Sequence, residues 1–234
     1  MIYELTLSGP AKNALGSEMM DFILHNLGEA DGRPVLVTGA GDAFSAGLNL
    51  KEVMSLERDQ MAAFLRKLES MCAALYHYPG PSVAYVNGHA IAGGCLVALA
   101  CDMRVAAASP SARIGLNEVA LGLRFPPNIL DLVRSRVPVH FLDRVVLGAG
   151  LFDPHEAQRL GLVDEVTEGG IEVARQRLMA LATHPADGYA AAKRDLRGGF
   201  RAMNDMEARR FAEEIVPTWT SNELKTRIMK IFKK

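Results

Sequence analysis

The sequence predicts an α/β fold in which strands and helices alternate before a helical C-terminal region. Two observations support this class. Short apolar runs that suit buried strands alternate with amphipathic helical patterns as far as about residue 125. Beyond that point one helical pattern follows another, and only GLVDEV at residues 161–166 has the pattern of a strand. Alternation of this kind is typical of sheets that are covered on both faces.

The elements of the first half follow from periodicity and breakers. Strands are predicted at residues 2–7, 34–38, 82–86 and 103–107. Helices are predicted at residues 17–27, 50–53, 56–76 and 95–102. Ser17 is the predicted N-cap of the first helix, and the glycine pair Gly93–Gly94 opens the last. The breaker PGP at residues 79–81 closes the long third helix.

The second half is predicted to be mostly helical. Its helical patterns lie at residues 128–136, 141–147, 154–159, 171–182, 187–194, 206–215 and 220–232. Lysines and arginines near the C-terminus, among them Arg227, Lys230, Lys233 and Lys234, are interleaved with apolar residues. This spacing indicates a solvated helix face first and a phosphate contact second.

Composition excludes several classes of function. The chain has 234 residues, a net charge of −1 and no basic stripe with interleaved aromatic residues, which argues against a nucleic-acid partner. No apolar run approaches the roughly 18 residues that span a bilayer, and the N-terminus lacks the pattern of a secretory signal. The three cysteines have no metal-ligand spacing, so we expect no metal site, a reducing compartment and a cytoplasmic protein.

Two loops rich in small residues each follow a predicted strand. TGAGDAFSAGLNLKEV occupies residues 38–53, and VNGHAIAGG occupies residues 86–94, directly before a helix. Bare backbone N–H groups in such loops can meet a ligand, and two of them from separate segments can form an oxyanion hole. The alternatives are a tight strand-to-helix turn for the first loop and close helix–sheet packing for the second.

Glu118 is the candidate for acid–base chemistry. It lies in ARIGLNEVALGL, and no other carboxylate occurs between Asp102 and Asp131. If its side chain points inward among these apolar residues, desolvation raises its pKa toward the range useful for proton transfer. If it points outward, it is a solvated loop residue. Two other polar residues, Asp102 and Arg104, are predicted to form a structural ion pair or cap.

The motifs FSAGLNL, NGHAIAGGCLVALACDMRVAA and IGLNEVALGL together closely resemble the crotonase (enoyl-CoA hydratase/isomerase) superfamily. The similarity covers nearly the whole chain. It implies a crotonase-like spiral of ββα units over residues 1–180 and a C-terminal helical region over residues 181–234. That region would serve oligomerisation and the acyl pocket, and it would build a homotrimer or a hexamer.

The resemblance also implies a ligand and its contacts. The family binds acyl-CoA thioesters, so coenzyme A would be part of the substrate and no separate cofactor is expected. Carried over by position, the oxyanion donors are the N–H groups of Leu48 and Gly93. Coenzyme A would contact the chain near Ser45 and Ala46. The acyl pocket would include Leu96 and Leu121.

One departure from the hydratase pattern is informative. Hydratases of the family carry one glutamate directly after GGC and a second in a later motif, and water addition needs both. Here the first position is Leu96, and the second matches Glu118. A double-bond shift needs only one base, so the pattern favours a Δ3,Δ2-enoyl-CoA isomerase of fatty-acid β-oxidation, with Glu118 as its proton shuttle.

Other functions stay open at this stage. An enoyl-CoA hydratase could use a second acid that the sequence does not reveal, and a thioesterase or decarboxylase could use the same scaffold. A non-catalytic relative that binds acyl-CoA or RNA is a further alternative. The length of the acyl chain and the native substrate cannot be read from the sequence.

Overall fold

The structure, a computed structural model, describes residues 1–198 and 200–232; Lys233 and Lys234 lie outside this range. The eight strands described are β1 (Tyr3–Leu7), β2 (Val35–Gly39), β3 (Ala43–Ser45), β4 (Ser82–Val86), β5 (His89–Ile91), β6 (Met103–Ala107), β7 (Ile114–Gly115) and β8 (Glu165–Thr167). They form a five-stranded sheet in the order β1-β2-β4-β6-β8 and a three-stranded sheet in the order β3-β5-β7, and all pairs are parallel.

The first helical segment, α1 (Pro10–Asn13), is a single turn with left-handed backbone. The α-helices that follow it are α2 (Ser17–Ala30), α3 (Leu50–Ser55), α4 (Arg58–Tyr76), α5 (Gly93–Ala100), α6 (Pro127–Arg136), α7 (Pro154–Arg159), α8 (Ile171–Leu181), α9 (Ala186–Leu196), α10 (Asp205–Arg210), α11 (Val216–Trp219) and α12 (Asn222–Phe232). Two 3-10 turns lie at Val119–Leu121 and Val139–Phe141, and two π-helical segments lie at Asp143–Leu147 and Phe211–Ile215. The predicted α/β class and the helical second half are confirmed.

The two sheets are connected as a spiral. Each strand of the smaller sheet follows a strand of the larger one after a short connection, so β2–β3, β4–β5 and β6–β7 are successive steps. Close backbone approach at these steps requires glycine. A Cβ on Gly39 would lie 2.0 Å from the carbonyl oxygen of Ala43, and one on Gly88 would lie 2.0 Å from that of Asp42.

The strands of the smaller sheet were not predicted from the sequence. Each has only two or three residues, which is too short to show a period of two. Their sequences lie within the segments interpreted as loops. The four longer strands predicted in the first half lie within one residue of their predicted bounds.

The hydrophobic core explains the long apolar runs. The strands β2 and β4 are almost wholly buried because helices cover both faces of the larger sheet. On one face, α2 and α5 pack against it, α4 packs against these two helices, and all eight residues of α5 are buried. On the other face, α8 places Ala174 and Leu178 against Leu36, Val83 and Val105.

Two predicted helix starts need correction. The N-cap of α2 is Gly16, and Ser17 is the first residue of the helix. Instead of capping its own helix, Ser17 donates from its backbone N–H (3.0 Å) and from Oγ (2.5 Å) to the carboxylate of Glu52. The helix α4 begins at Arg58, because Glu57 and Gln60 form a reciprocal capping box at its start.

The predicted ion pair between Asp102 and Arg104 is wrong, since each side chain pairs with a distant residue. Arg104 Nη2 lies 2.5 Å from Asp164 Oδ1. Asp102 lies just before β6 and contacts Lys193 Nζ (2.7 Å) and Arg197 Nη2 (2.6 Å). Short spacing along the chain suggested a partner, but partners from the C-terminal half are closer in space.

Asp102 joins the core to α9. Besides the two cations, its Oδ2 accepts hydrogen bonds from Ser82 N (2.8 Å) and Tyr189 OH (2.6 Å). Lys193 Nζ also donates to the carbonyl oxygens of Tyr78 and Gly80. The side chains of the acid and both cations are buried. One carboxylate therefore ties the C-terminal helical region to the start of two central strands.

Asp102→Asn tests this junction. Asparagine keeps the shape of the side chain but leaves Lys193 and Arg197 buried without a counter-charge. Breaking a buried ion pair in this way costs about 3–5 kcal/mol, and we expect the free energy of unfolding in urea to fall by about that amount. Asp195→Asn, at a side chain of α9 that is 81% exposed, is the control. Equal effects of the two variants would contradict the proposed role of Asp102.

Candidate active site

A cavity of about 690 Å³ lies between the spiral core and the C-terminal helices. Its walls are mostly apolar and come from seven separate parts of the chain. The lining residues are Pro10, Ala11, Ala14, Ala46, Leu48, Asn49, Leu50, Lys51, Ile91, Ala92, Asn117, Glu118, Leu121, Leu123, Leu151, Trp219, Ile231 and Phe232. An enclosed apolar space with few polar groups is the usual form of a small-molecule site.

Glu118 is the single carboxylate among the described residues that line this cavity. Its side chain is buried, with the residue only 4% exposed, and Oε2 has no hydrogen-bond partner within the described part of the chain. Burial raises the pKa of this carboxyl to about 7, against the weaker lowering effect of a backbone hydrogen bond. The alternative of a solvated loop residue is therefore wrong. A carboxyl with this pKa can both accept and return a proton near neutral pH.

The local backbone presents Glu118 to the cavity. It follows the short strand β7 and starts the 3-10 turn Val119–Leu121. Its carbonyl oxygen accepts hydrogen bonds from Leu121 N and Leu123 N, both at 3.0 Å. Gly122 closes the turn with a φ of +74°, a conformation that suits glycine. The turn therefore fixes the backbone of Glu118 while Oε2 of its side chain is left without a polar partner among the described residues.

The backbone N–H of Leu48 is oriented away from its neighbouring segment. Leu15 N donates to Gly47 O (2.7 Å), and Asn49 N donates to Leu15 O (3.0 Å). In this parallel bridge the residues on either side of Leu48 make the bonds to Leu15. The N–H of Leu48 takes no part in the bridge, and Leu48 itself lines the cavity. This arrangement leaves one backbone donor for a ligand.

Gly93 supplies a second donor from a helix start. It is the first residue of α5, whose bonding begins with Leu96 N donating to Ala92 O at 3.0 Å. The N–H of a first helical residue has no acceptor within its own helix. Ala92, which sets the orientation of this N–H, has a φ of 49° and a ψ of −118°. A residue with a Cβ is strained there, and such strain clusters at functional sites.

Glycine occurs at the two adjacent positions 93 and 94 for different physical reasons. A Cβ on Gly94 would lie 2.4 Å from the carbonyl oxygen of Ser45, so backbone packing requires glycine at this position. A Cβ on Gly93 would meet only the side chains of Leu48 and Leu15, at 3.0 and 3.1 Å. Gly93 therefore lies against Leu48, and the two candidate donors belong to neighbouring segments. The packing alternative holds for Gly94, and the donor interpretation suits Gly93.

A strained turn near the N-terminus supports the Leu48 loop, and sequence analysis did not identify it. Ala11, Lys12 and Asn13 have consecutive left-handed φ values of 51°, 58° and 59°. Asn13 Nδ2 donates to the carbonyl oxygens of Ala40 and Ala43, both at 2.9 Å. The signal in the sequence was the stretch GPAKN, because asparagine tolerates the left-handed region better than most residues.

This turn also contacts the segment before Leu48 directly. Ser45 Oγ donates to Asn13 O at 2.8 Å, and Ala46 N donates to Lys12 O at 3.0 Å. Gly47 N in turn donates to Ser45 Oγ. The segment that carries the Leu48 donor is therefore fixed on one side by the strained turn.

The predicted site residues divide into two groups. Leu48, Ala46, Leu121 and Glu118 line the cavity, and Gly93 lies against Leu48. Ser45 and Leu96 are buried beside the site and are not among the lining residues. Ser45 makes its hydrogen bonds to the backbone of Asn13 and Gly47, within the protein.

Other chemistries find little support in the described residues. No group of three or more histidine, cysteine or acidic side chains there could hold a metal ion. The thiols of Cys95 and Cys101 are buried, and burial raises the pKa of each to about 12. Within residues 1–198 and 200–232, no helix has the length and apolar character needed to cross a bilayer.

Comparison with known proteins identifies the family to which this chain is similar. The profile of the enoyl-CoA hydratase/isomerase family matches residues 1–232. Human mitochondrial enoyl-CoA delta isomerase 1 is 32% identical over 167 residues, which is 69% of this chain and 55% of the human protein. The 2,3-dehydroadipyl-CoA hydratase of Escherichia coli is 31% identical over 200 residues, which is 82% of this chain and 77% of that enzyme. The chain thus spans little more than half of the human relative's length.

Solved structures agree with the predicted spiral fold. The crystal structure of human mitochondrial Δ3-Δ2-enoyl-CoA isomerase aligns with a TM-score of 0.88 and 25% identity, over 99% of this chain and 94% of that one. Enoyl-CoA hydratase from Bacillus halodurans aligns with a TM-score of 0.82 and 22% identity, over 98% and 96% of the two chains. The likeness to the Bacillus enzyme concerns the fold alone. The crotonase-type α/β architecture is confirmed.

The buried state of Glu118 predicts a stability that depends on pH. Because burial raises the pKa of Glu118 from 4.5 to about 7, the folded protein holds this proton more tightly than the unfolded chain does. The contribution of Glu118 to stability is fully present below pH 4.5 and is lost as the pH rises through about 7. The Glu118→Gln substitution removes the ionisable group, and with it this loss of stability at higher pH.

We expect the Glu118→Gln variant to gain stability relative to the wild type between pH 4.5 and 8, by about 3 kcal/mol. Urea denaturation at a series of pH values measures the difference. If the two proteins showed the same dependence on pH, Glu118 would titrate as an exposed carboxyl, which would contradict the geometry.

Proposed function

The chain belongs to the enoyl-CoA hydratase/isomerase family, and from this premise we propose that it is a Δ3,Δ2-enoyl-CoA isomerase. The proposed reaction moves the double bond of a 3-enoyl-CoA to the trans-2 position, by an intramolecular transposition, in fatty-acid β-oxidation. The single observation that carries the proposal is Glu118, a buried carboxyl whose Oε2 has no hydrogen-bond partner and which is the one acidic side chain among the described residues of the cavity wall.

The proposed mechanism uses one base and two backbone donors. The N–H groups of Leu48 and Gly93 would bind the thioester oxygen of the substrate. Glu118 would take the proton from C2, and the electron pair left behind would delocalise onto that oxygen as an enolate. The enolate would then take the same proton from Glu118 at C4, which leaves the double bond between C2 and C3. Backbone donors placed where the negative charge develops typically lower such a barrier by about 3–4 kcal/mol each.

The apolar wall suits the rest of the substrate. Leu121, Leu123 and Trp219 line the cavity beyond Glu118 and would contact the acyl chain. Coenzyme A would contact the opposite side near Ala46, with the backbone of Ser45 as a further contact. Trimer or hexamer assembly through residues 181–234 and a cytoplasmic location belong to the same proposal.

A hydratase is the second candidate, and a specific observation favours it. The E. coli hydratase matches a larger share of this chain than the human isomerase does. Hydration needs a carboxylate to activate water and an acid to deliver a proton to the substrate. The position after GGC that would carry the second acid is Leu96, which is buried within α5. We therefore favour the isomerase.

Glu118→Gln tests the proposed role of the carboxylate. Loss of a general base typically costs about 10²–10⁴ in rate, so we expect kcat on a 3-enoyl-CoA to fall by that factor. In the wild type, kcat should rise with pH through about 7, because the base must lose its proton first. Stopped-flow absorbance of the conjugated 2-enoyl product measures both.

Glu69→Gln is a matched control. Glu69 is also a buried carboxyl whose pKa is raised to about 7 by burial, but it accepts a hydrogen bond from Asn128 N outside the cavity. Its variant should keep the wild-type pH profile. Near-wild-type turnover by a folded Glu118→Gln protein would overturn the mechanism. Formation of 3-hydroxyacyl-CoA from a 2-enoyl-CoA by the wild type would favour the hydratase instead.

A further inference from the structure

The backbone that follows Glu118 is held by the C-terminal helices. Arg227 Nη1 of α12 donates to Leu121 O at 2.8 Å. Trp219 Nε1 of α11 donates to Arg124 O at 2.9 Å, and Arg124 N donates to Thr218 Oγ1 at 3.3 Å. The carbonyl oxygen of Leu121 and both backbone polar groups of Arg124 therefore have their partners in the last part of the chain.

Arg227 is packed closely on the turn that begins at Glu118. A Cβ on Gly122 would lie 2.1 Å from Arg227 Nη1. The guanidinium thus occupies the space that a side chain at residue 122 would take. Leu121, whose carbonyl oxygen Arg227 binds, also donates its N–H to Glu118 O. Arg227 is therefore two hydrogen bonds away from the backbone of the candidate base.

The same helix forms part of the cavity wall. Leu224 and Ile228 anchor α12 in the core, with 1% and 0% of their surface exposed. One turn further on, Ile231 and Phe232 line the cavity and are 44% and 49% exposed. These two side chains are apolar and incompletely covered, as expected for a wall that a ligand completes. Leu121 and Trp219 extend the same apolar side.

We propose that Arg227 is a positioning residue that couples the occupation of the Ile231–Phe232 side of the cavity to the placement of Glu118. The proposal rests on the proposed function and deepens it, because it identifies how the length of the acyl chain affects the chemistry. A long acyl chain contacts Ile231 and Phe232 and holds α12 in place. Arg227 then holds the turn at Leu121 and Gly122, which keeps Glu118 oriented toward the reacting carbons. A short chain does not reach Ile231 and Phe232.

Hydrogen exchange of the turn tests the coupling without turnover. The amides of Leu121 and Leu123 report on the turn because both donate to Glu118 O. In the wild type, saturating dodecanoyl-CoA should protect these amides about tenfold more than saturating butanoyl-CoA, the factor expected when one charge-assisted hydrogen bond is secured. Arg227→Met should abolish that difference, and Arg227→Lys, which can still donate one bond, should restore part of it.

Arg134→Met is the matched control. Arg134 is an exposed arginine of α6 that pairs with Asp131 on its own helix and does not line the cavity. This variant should keep the wild-type difference between the two ligands. The coupling is overturned if Arg227→Met lowers protection equally with both ligands while the difference remains. It is also overturned if the wild type protects the two amides equally with both ligands.

Kinetics provide a second readout. The ratio of kcat on a 3-dodecenoyl-CoA to kcat on a 3-hexenoyl-CoA should fall about tenfold in Arg227→Met, with a smaller fall in Arg227→Lys. Failure of the two hypotheses can be told apart. If the wild type isomerises neither substrate, the proposed function fails. The exchange experiment then still tests whether Arg227 couples the two sides of the cavity, because it requires only ligand binding. If Glu118→Gln abolishes isomerisation while Arg227→Met keeps the wild-type exchange difference, the coupling alone fails.

Discussion

The site depends on one energetic conflict, a carboxyl group that is buried in an apolar cavity and whose Oε2 has no hydrogen-bond partner among the described residues. Solvation of a carboxylate is worth several kcal/mol, so the fold must hold Glu118 in place against its tendency to reach water. It does so through the backbone, with two N–H groups on the carbonyl oxygen of Glu118 and a left-handed glycine after the turn. The same burial that costs stability raises the pKa to a useful value.

The remaining features of the site are arranged around this carboxyl. The candidate donors for the substrate oxygen are backbone N–H groups, which cannot be lost by a change of side chain but must be oriented by the chain. Strain accompanies that orientation at Ala92 and in the left-handed turn at Ala11–Asn13. Rigid surroundings hold the backbone in this strained conformation. They include the fully buried α5, the Asn13 hydrogen bonds and the Asp102 junction to α9. Stability elsewhere in the fold thus supports strain at the site.

Much of this was predictable from the sequence. Apolar runs and breakers gave the α/β class, the long strands and the long helices, because these patterns depend on local periodicity. The lone acid in a long, nearly uncharged span identified Glu118, and the small-residue loops identified the segments of Leu48 and Gly93. Leu96 favoured the proposed isomerase reaction over hydration, because the chemical nature of a side chain can be read directly from the sequence. The smaller sheet was missed, since its strands are too short to have a pattern.

Sequence by itself determined which groups are available, namely one carboxyl, two glycine-rich loops and an amphipathic C-terminal helix. Only the tertiary structure decided whether Glu118 is buried, since the sequence around it is compatible with either a solvated or a desolvated side chain. It also decided that Gly94 serves packing while Gly93 lies beside Leu48, and that Asp102 pairs with Lys193 and Arg197 instead of Arg104. The physical reason is common to all three. Burial, pairing and close approach depend on residues that are distant in the chain and meet only when the spiral and its helices close around the cavity.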